Sequence, residues 1–126
     1  MNAQHFILFI YDKSIDMADA VMFDIDDTLI EAITGRRIEK VYTLYQQAKA
    51  RGYKIIIVTA RPAFTANVRW TQKQLRKNGI TYDKLVFASA QDKGYYKRTS
   101  GYRFVLSVGD QDTDLTDSAY AIKISK

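Results

Sequence analysis

Short apolar runs recur along this chain, and the segments between them are too long for hairpins. Ala20–Ile25 (AVMFDI), Tyr53–Val58 (YKIIIV), Lys84–Ala88 (KLVFA), Tyr102–Val108 (YRFVLSV) and Ala121–Ser125 (AIKIS) read as strands. Between the first two, Ile38, Val41, Tyr42, Tyr45 and Ala48 fall at helical spacing, and Gly52 stops that helix after Ala50. Pro62 is placed to open a second helix, ended by Asn78-Gly79, with Phe64, Val68, Thr71 and Leu75 as its inward stripe. Strands that alternate with helices are joined by crossovers, and crossovers make a parallel sheet covered on both faces. The continuous, β-branched second run suits a strand buried on both sides. The expected fold is α/β: a Rossmann-like three-layer sandwich on a central parallel sheet of about five strands. Gln91–Ser100 has no clear pattern, and Leu115–Tyr120 suggests one or two helical turns. The length of 126 residues suits a single domain over 1–126, with residues 1–19 as an N-terminal arm outside the scheme.

Ligands of open parallel sheets bind beyond the carboxyl ends of the strands. The first strand runs into Asp24, Asp26, Asp27 and Thr28, the second into Thr59, Ala60 and Arg61, and the fourth into Gly109, Asp110, Gln111, Asp112 and Asp114. Clustered carboxylates repel one another unless a cation neutralises them. With no Cys and one His in the chain, the donors are oxygens, which select a hard ion such as Mg2+. A carboxylate nucleophile, a metal, a hydroxyl and a cationic clamp together describe phosphoryl transfer. The sequence Asp110-Gln111-Asp112-Thr113-Asp114 also begins like a calcium loop. Leu115 and Ala121 stand where that loop needs Gly and Glu, which excludes it.

Phe23-Asp24-Ile25-Asp26-Asp27-Thr28-Leu29 resembles the first motif of the haloacid dehalogenase (HAD) superfamily, Asp-x-Asp-x-Thr. Ile55–Thr59 resembles its second motif, and Gly109-Asp110 with Asp114 its fourth, all in the family order over residues 20 to 126. The resemblance implies a HAD-like fold and a Mg2+-dependent phosphatase. Asp24 would attack phosphorus and become a phosphoaspartate. Asp26 would serve as general acid and then base, with its carbonyl as a metal ligand. Thr59 would bond the phosphoryl group, Asp110 would bind Mg2+, and Asp114 would support the metal site. The third motif is a Lys. Tyr95-Tyr96-Lys97 resembles the Tyr-Lys of the plant vegetative storage and class B acid phosphatases, which favours Lys97 over Lys93. Thr59-Ala60-Arg61-Pro62 and Gly109-Asp110-Gln111 resemble the same branch.

Neither place where this superfamily inserts a cap leaves room for one, so an uncapped, accessible site is expected. Such sites resemble those of phosphatases acting on bulky substrates, phosphoproteins and nucleic-acid ends among them, and a small phosphomonoester stays open as well. The net charge of +5 agrees with an anionic substrate and equally with a solvated surface. The clusters Arg36, Arg37, Lys40 and Lys93, Lys97, Arg98 are too sparse to argue for nucleic acid by themselves. Arg61 is close enough to Thr59 to reach a phosphate and equally able to pair with an acid. Trp70 falls off the inward stripe, at a rim or against a substrate or partner. Phe6–Tyr11 (FILFIY) is too short to span a bilayer, and no basic residue precedes it, so a cytoplasmic protein with no membrane partner is expected. A phosphotransferase passing the group to an alcohol, and a binding protein without turnover, are the alternative functions. The oligomeric state is not encoded in any pattern found.

Overall fold

The computed structural model describes residues 18–125; the expected arm lies almost wholly outside them, as does His5. Five strands, β1 (Asp19–Phe23), β2 (Lys54–Thr59), β3 (Lys84–Phe87), β4 (Arg103–Gly109) and β5 (Tyr120–Lys123), form one sheet in the order β3-β2-β1-β4-β5. Every pairing is parallel, with Phe23 level with Ile57 of β2 and Val108 of β4. The helices are α1 (Glu39–Ala50), α2 (Thr65–Lys77) and α3 (Lys93–Thr99). The fold is the expected α/β class.

Alternation along the strands divides the core in two. Val21, Phe23, Ile55 and Ile57 face the larger cluster, which α1 closes with Val41, Leu44, Tyr45 and Ala48, and α2 with Leu75. Ala20, Met22, Ile56, Val58 and Phe104 face the smaller cluster, which Tyr96 of α3 helps to cover. The two helices that carry the chain outward from β1 to β3 thus share one face, and α3, which carries it back to β4, lies on the other. Right-handed crossovers require this when the direction of winding reverses. The reversal falls between β1 and β4, the point where open sheets of this kind bind ligands.

Three local expectations are corrected. Pro62 does not open α2: the helix starts at Thr65, after an extended Phe64. Arg61 is pulled toward Asp26, and the chain needs the residues between to return; Phe64 is consequently exposed rather than inward. The turn expected over Leu115–Tyr120 is instead a single 3-10 turn at Asp112–Asp114. The carbonyls of Asp114 and Thr116 accept from the Lys97 ammonium and are not free to build a helix. Gln91–Ser100 contains a 3-10 turn at Ala90–Asp92 followed by α3. Among the described residues no folded segment is inserted after β1 or β2 that could act as a cap, and no helix is long and apolar enough to cross a membrane.

Candidate active site

Asp24 is the first residue past β1, and its N–H still donates to the Val108 carbonyl at 3.0 Å, so the sheet fixes its backbone. The chain then turns sharply. The Ile25 carbonyl accepts from the N–H groups of Thr28, Leu29 and Ile30, with Asp27 in the left-handed region at φ 58°. Ile25, Leu29 and Ile30 are all fully buried, so the turn is held by packing as well as by bonds. A straight strand would send Asp24 and Asp26 to one face. This turn gives them different surroundings.

The Asp24 carboxylate is nearly buried. Lys93 Nζ donates to its Oδ1 at 3.0 Å, and the Thr28 hydroxyl donates to its Oδ2 at 3.3 Å. The same ammonium donates to Asp114 Oδ1 at 2.6 Å. Asp114 Oδ2 accepts from the Gln111 N–H at 3.1 Å, so both its oxygens are engaged. Gly109 makes room for this arrangement: a Cβ there would stand 2.3 Å from Asp114 Cβ. Asp24, Asp110 and Asp114 each place a carboxylate oxygen within 4.8 Å of the others.

Burial pushes the Asp24 carboxyl up to about 7; the Lys93 charge opposes this and the Asp114 charge adds to it. Burial alone would lower Lys93, but the Asp24 and Asp114 carboxylates outweigh it and its pKa rises. One ammonium thus contacts two carboxylates of a group of three. The excess of negative charge, on oxygen donors alone, fits a hard divalent cation. Asp24, Asp110 and Asp114 are the carboxylates close enough together to hold it.

Asp26 turns the other way. Arg61 grips it with two parallel hydrogen bonds, Nε to Oδ2 at 3.0 Å and Nη2 to Oδ1 at 2.8 Å. The guanidinium also donates to the Thr71 hydroxyl at 3.1 Å and lies over the Trp70 ring, 5.1 Å from its centroid. The Asp26 carboxylate is not part of the group formed by Asp24, Asp110 and Asp114. Thr59 is buried at the end of β2, and its hydroxyl accepts from the Arg61 N–H at 3.1 Å. A cleft of about 380 Å³ is lined by Asp24, Asp26, Arg61, Lys93 and Asp110, among others; Thr59 lies behind Ala60 and Arg61 and is not in the lining.

Lys97, the lysine the resemblance favours, is not in that lining, whereas Lys93 is. One helical turn beyond Lys93 and equally buried, it donates to Ser107 Oγ at 3.0 Å and to the carbonyls of Asp114 and Thr116. Burial draws its pKa down to about 8. Its role is to tie the loop that carries Asp114 to α3. Sequence reasoning left Arg61 undecided. Its signal was the short reach from Thr59, but its partner Asp26 is visible only in space.

The family model of HAD superfamily subfamily IIIB (acid phosphatase) matches residues 33–126. No curated protein matches. Among solved structures, a chain of a Pnkp1/Rnl/Hen1 complex superposes with a TM-score of 0.68 at 20% identity, over 88% of this chain and 47% of that one. A chain of the Pnkp1/Rnl/Hen1 RNA repair complex gives 0.67 at 20% identity, over 90% and 44%. The present chain thus spans less than half the length of either.

Proposed function

Because the chain belongs to subfamily IIIB of the HAD superfamily, the acid phosphatases, we propose that it is a Mg2+-dependent phosphomonoesterase working through a phosphoaspartate on Asp24, with the whole site built in one domain. The observation that carries this reading is the buried Lys93 bridge between Asp24 and Asp114 at the switch point of the sheet. It holds a carboxylate at a fixed place beside an ammonium, in a cleft that the Arg61 guanidinium also lines.

The residues divide the work as follows. An Asp24 oxygen attacks phosphorus and the bond to the leaving oxygen breaks. Asp26, which takes up a proton from solvent once Arg61 turns to the entering phosphate, gives that proton to the leaving oxygen. Lys93 and the Thr59 hydroxyl stabilise charge on the transferring group. Arg61 is bidentate to Asp26 at rest; an entering phosphate offers the guanidinium a second partner and frees Asp26 to meet the leaving oxygen. Water then attacks the phosphoaspartate, Asp26 takes the water proton, and phosphate leaves with Asp24 restored. A cation held by Asp24, Asp110 and the Asp26 carbonyl, with Asp114 in support, would neutralise phosphate oxygens. The site has no covering segment among the described residues, which supports a substrate larger than the cleft. One of the solved neighbours comes from an RNA repair complex, which also supports a macromolecular substrate for this fold.

Hydrolysis of p-nitrophenyl phosphate with Mg2+, together with acid-stable labelling of Asp24 in a single turnover, tests the reading. Turnover by an Asp24→Asn variant at the native rate would overturn it.

A further inference from the structure

One long segment of this chain carries positive charge with no acid among it. Residues 61–82 contain Arg61, Arg69, Lys73, Arg76 and Lys77 and no acid, leaving 14 cations against 14 acids in the rest of the chain. This segment, α2 and its approach, thus carries +5 with no acid interspersed. Arg69, Lys73, Arg76 and Lys77 are all exposed, and none of them forms an ion pair among the described residues. Arg69, Lys73 and Arg76 share one stripe of the helix, and Trp70, Lys73 and Lys77 the adjoining one. A groove of about 630 Å³ runs along the first stripe and one of about 360 Å³ along the second. No Asp or Glu lines either groove.

A face that serves only solubility mixes both signs of charge. Here like charges stand at i, i+4 in Arg69/Lys73 and Lys73/Lys77, an arrangement that disfavours the helix by a few tenths of a kcal/mol per pair. Nothing in the described structure compensates for it. A polyanion would. The same face exposes Trp70 by 55%. Trp70 is the sole tryptophan, and its ring touches Arg61, which also lines the Asp24 cleft. Cations spaced over about 12 Å of helix, with an accessible indole beside them, suit successive backbone phosphates and an unpaired base.

We infer that the outer face of α2 is a docking surface for single-stranded nucleic acid, leading a strand whose phosphorylated end enters the Asp24 cleft. The surface itself stands on charge and exposure; only the placement of the strand's end rests on the phosphatase reading. Arg61 joins the two regions, through Trp70 and Thr71 on one side and Asp26 on the other.

Trp70 fluorescence reports the binding directly. A short oligothymidylate lacking a terminal phosphate should quench it. Four neutralised phosphates predict that affinity falls roughly 50-fold between about 50 and 200 mM salt. The combined variant Arg69→Gln, Lys73→Gln, Arg76→Gln, Lys77→Gln should lose the quenching with its circular dichroism intact. Its kcat/KM should fall at least tenfold more on a terminally phosphorylated oligonucleotide than on p-nitrophenyl phosphate. Quenching that persists while neither ester is turned over would uphold the surface and sink the phosphatase reading. Turnover of p-nitrophenyl phosphate without salt-dependent quenching, or with quenching unchanged in the variant, would overturn the surface and leave the phosphatase reading standing. Tighter binding of a phosphopeptide than of the oligonucleotide would overturn nucleic acid as the occupant.

Discussion

Replacing Lys93 by Ala is the most informative single change, because Lys97→Ala removes the same chemical group one helical turn away. Lys93 Nζ is shared between Asp24 Oδ1 at 3.0 Å and Asp114 Oδ1 at 2.6 Å, with its side chain and both partners almost wholly buried. Removing one member of a buried pair leaves its partners uncompensated and costs about 3–5 kcal/mol of stability in ordinary cases. Two facing carboxylates without their ammonium put this site at the upper end. On the reaction side, a lost cationic contact to the transferring group costs about 3 kcal/mol, or roughly two orders of magnitude in kcat. Lys97 bonds one hydroxyl and two carbonyls and touches no carboxylate. Its loss should lower stability by about 1–3 kcal/mol through unpaired carbonyls, with a smaller effect on turnover. Urea unfolding and steady-state hydrolysis of p-nitrophenyl phosphate, on protein shown to be folded, separate the two. A Lys93→Ala variant within tenfold of native kcat, or a slower Lys97→Ala variant of native stability, would refute the assignment.

Asp24→Asn should abolish turnover while keeping the fold, since the amide is a far poorer nucleophile; stability should be unchanged or higher, because repulsion with Asp110 and Asp114 is relieved, and urea denaturation checks this. A chelator should remove activity and added Mg2+ restore it; native turnover in metal-free buffer would contradict the oxygen-cluster argument. Gly109→Ala should cost about 1–3 kcal/mol, because the new Cβ would meet Asp114 Cβ at 2.3 Å. It should also displace Asp114 from Lys93 and slow hydrolysis, whereas native thermal stability would show that the loop gives way freely.

The sheet was legible because its strands are continuous apolar runs of a length and composition that suit little else. The same physics hid α3. Its buried residues are Lys93, Gly94 and Lys97, so its inward face is polar and has no apolar stripe to read. Those lysines pack against a carboxylate and a carbonyl loop rather than the hydrophobic core. The sequence places Lys93 and Lys97 on one side of a helix, but which of them reaches Asp24 depends on where the helix sits along its axis, and no local pattern records that. The first motif shows Asp24 and Asp26 together, while the grip of Arg61 on Asp26 joins residues on different strand ends. The charge on α2 was present in the sequence all along. It becomes a single face only when the helix forms, because its cations are spaced by the helix rather than clustered along the chain.

The two lysines of α3 also determine which changes this protein can absorb. Lys93 reaches upward to the acid, and Lys97 grips the backbone of the loop on which Asp114 is mounted. A single added or deleted residue between them would rotate one against the other by about 100° and undo both attachments together. Point substitutions on the exposed side of α3 would leave them in place. Across relatives, the length of this helix should therefore be far less variable than its letters, with insertions accumulating in the loops before Lys93 and after Lys97.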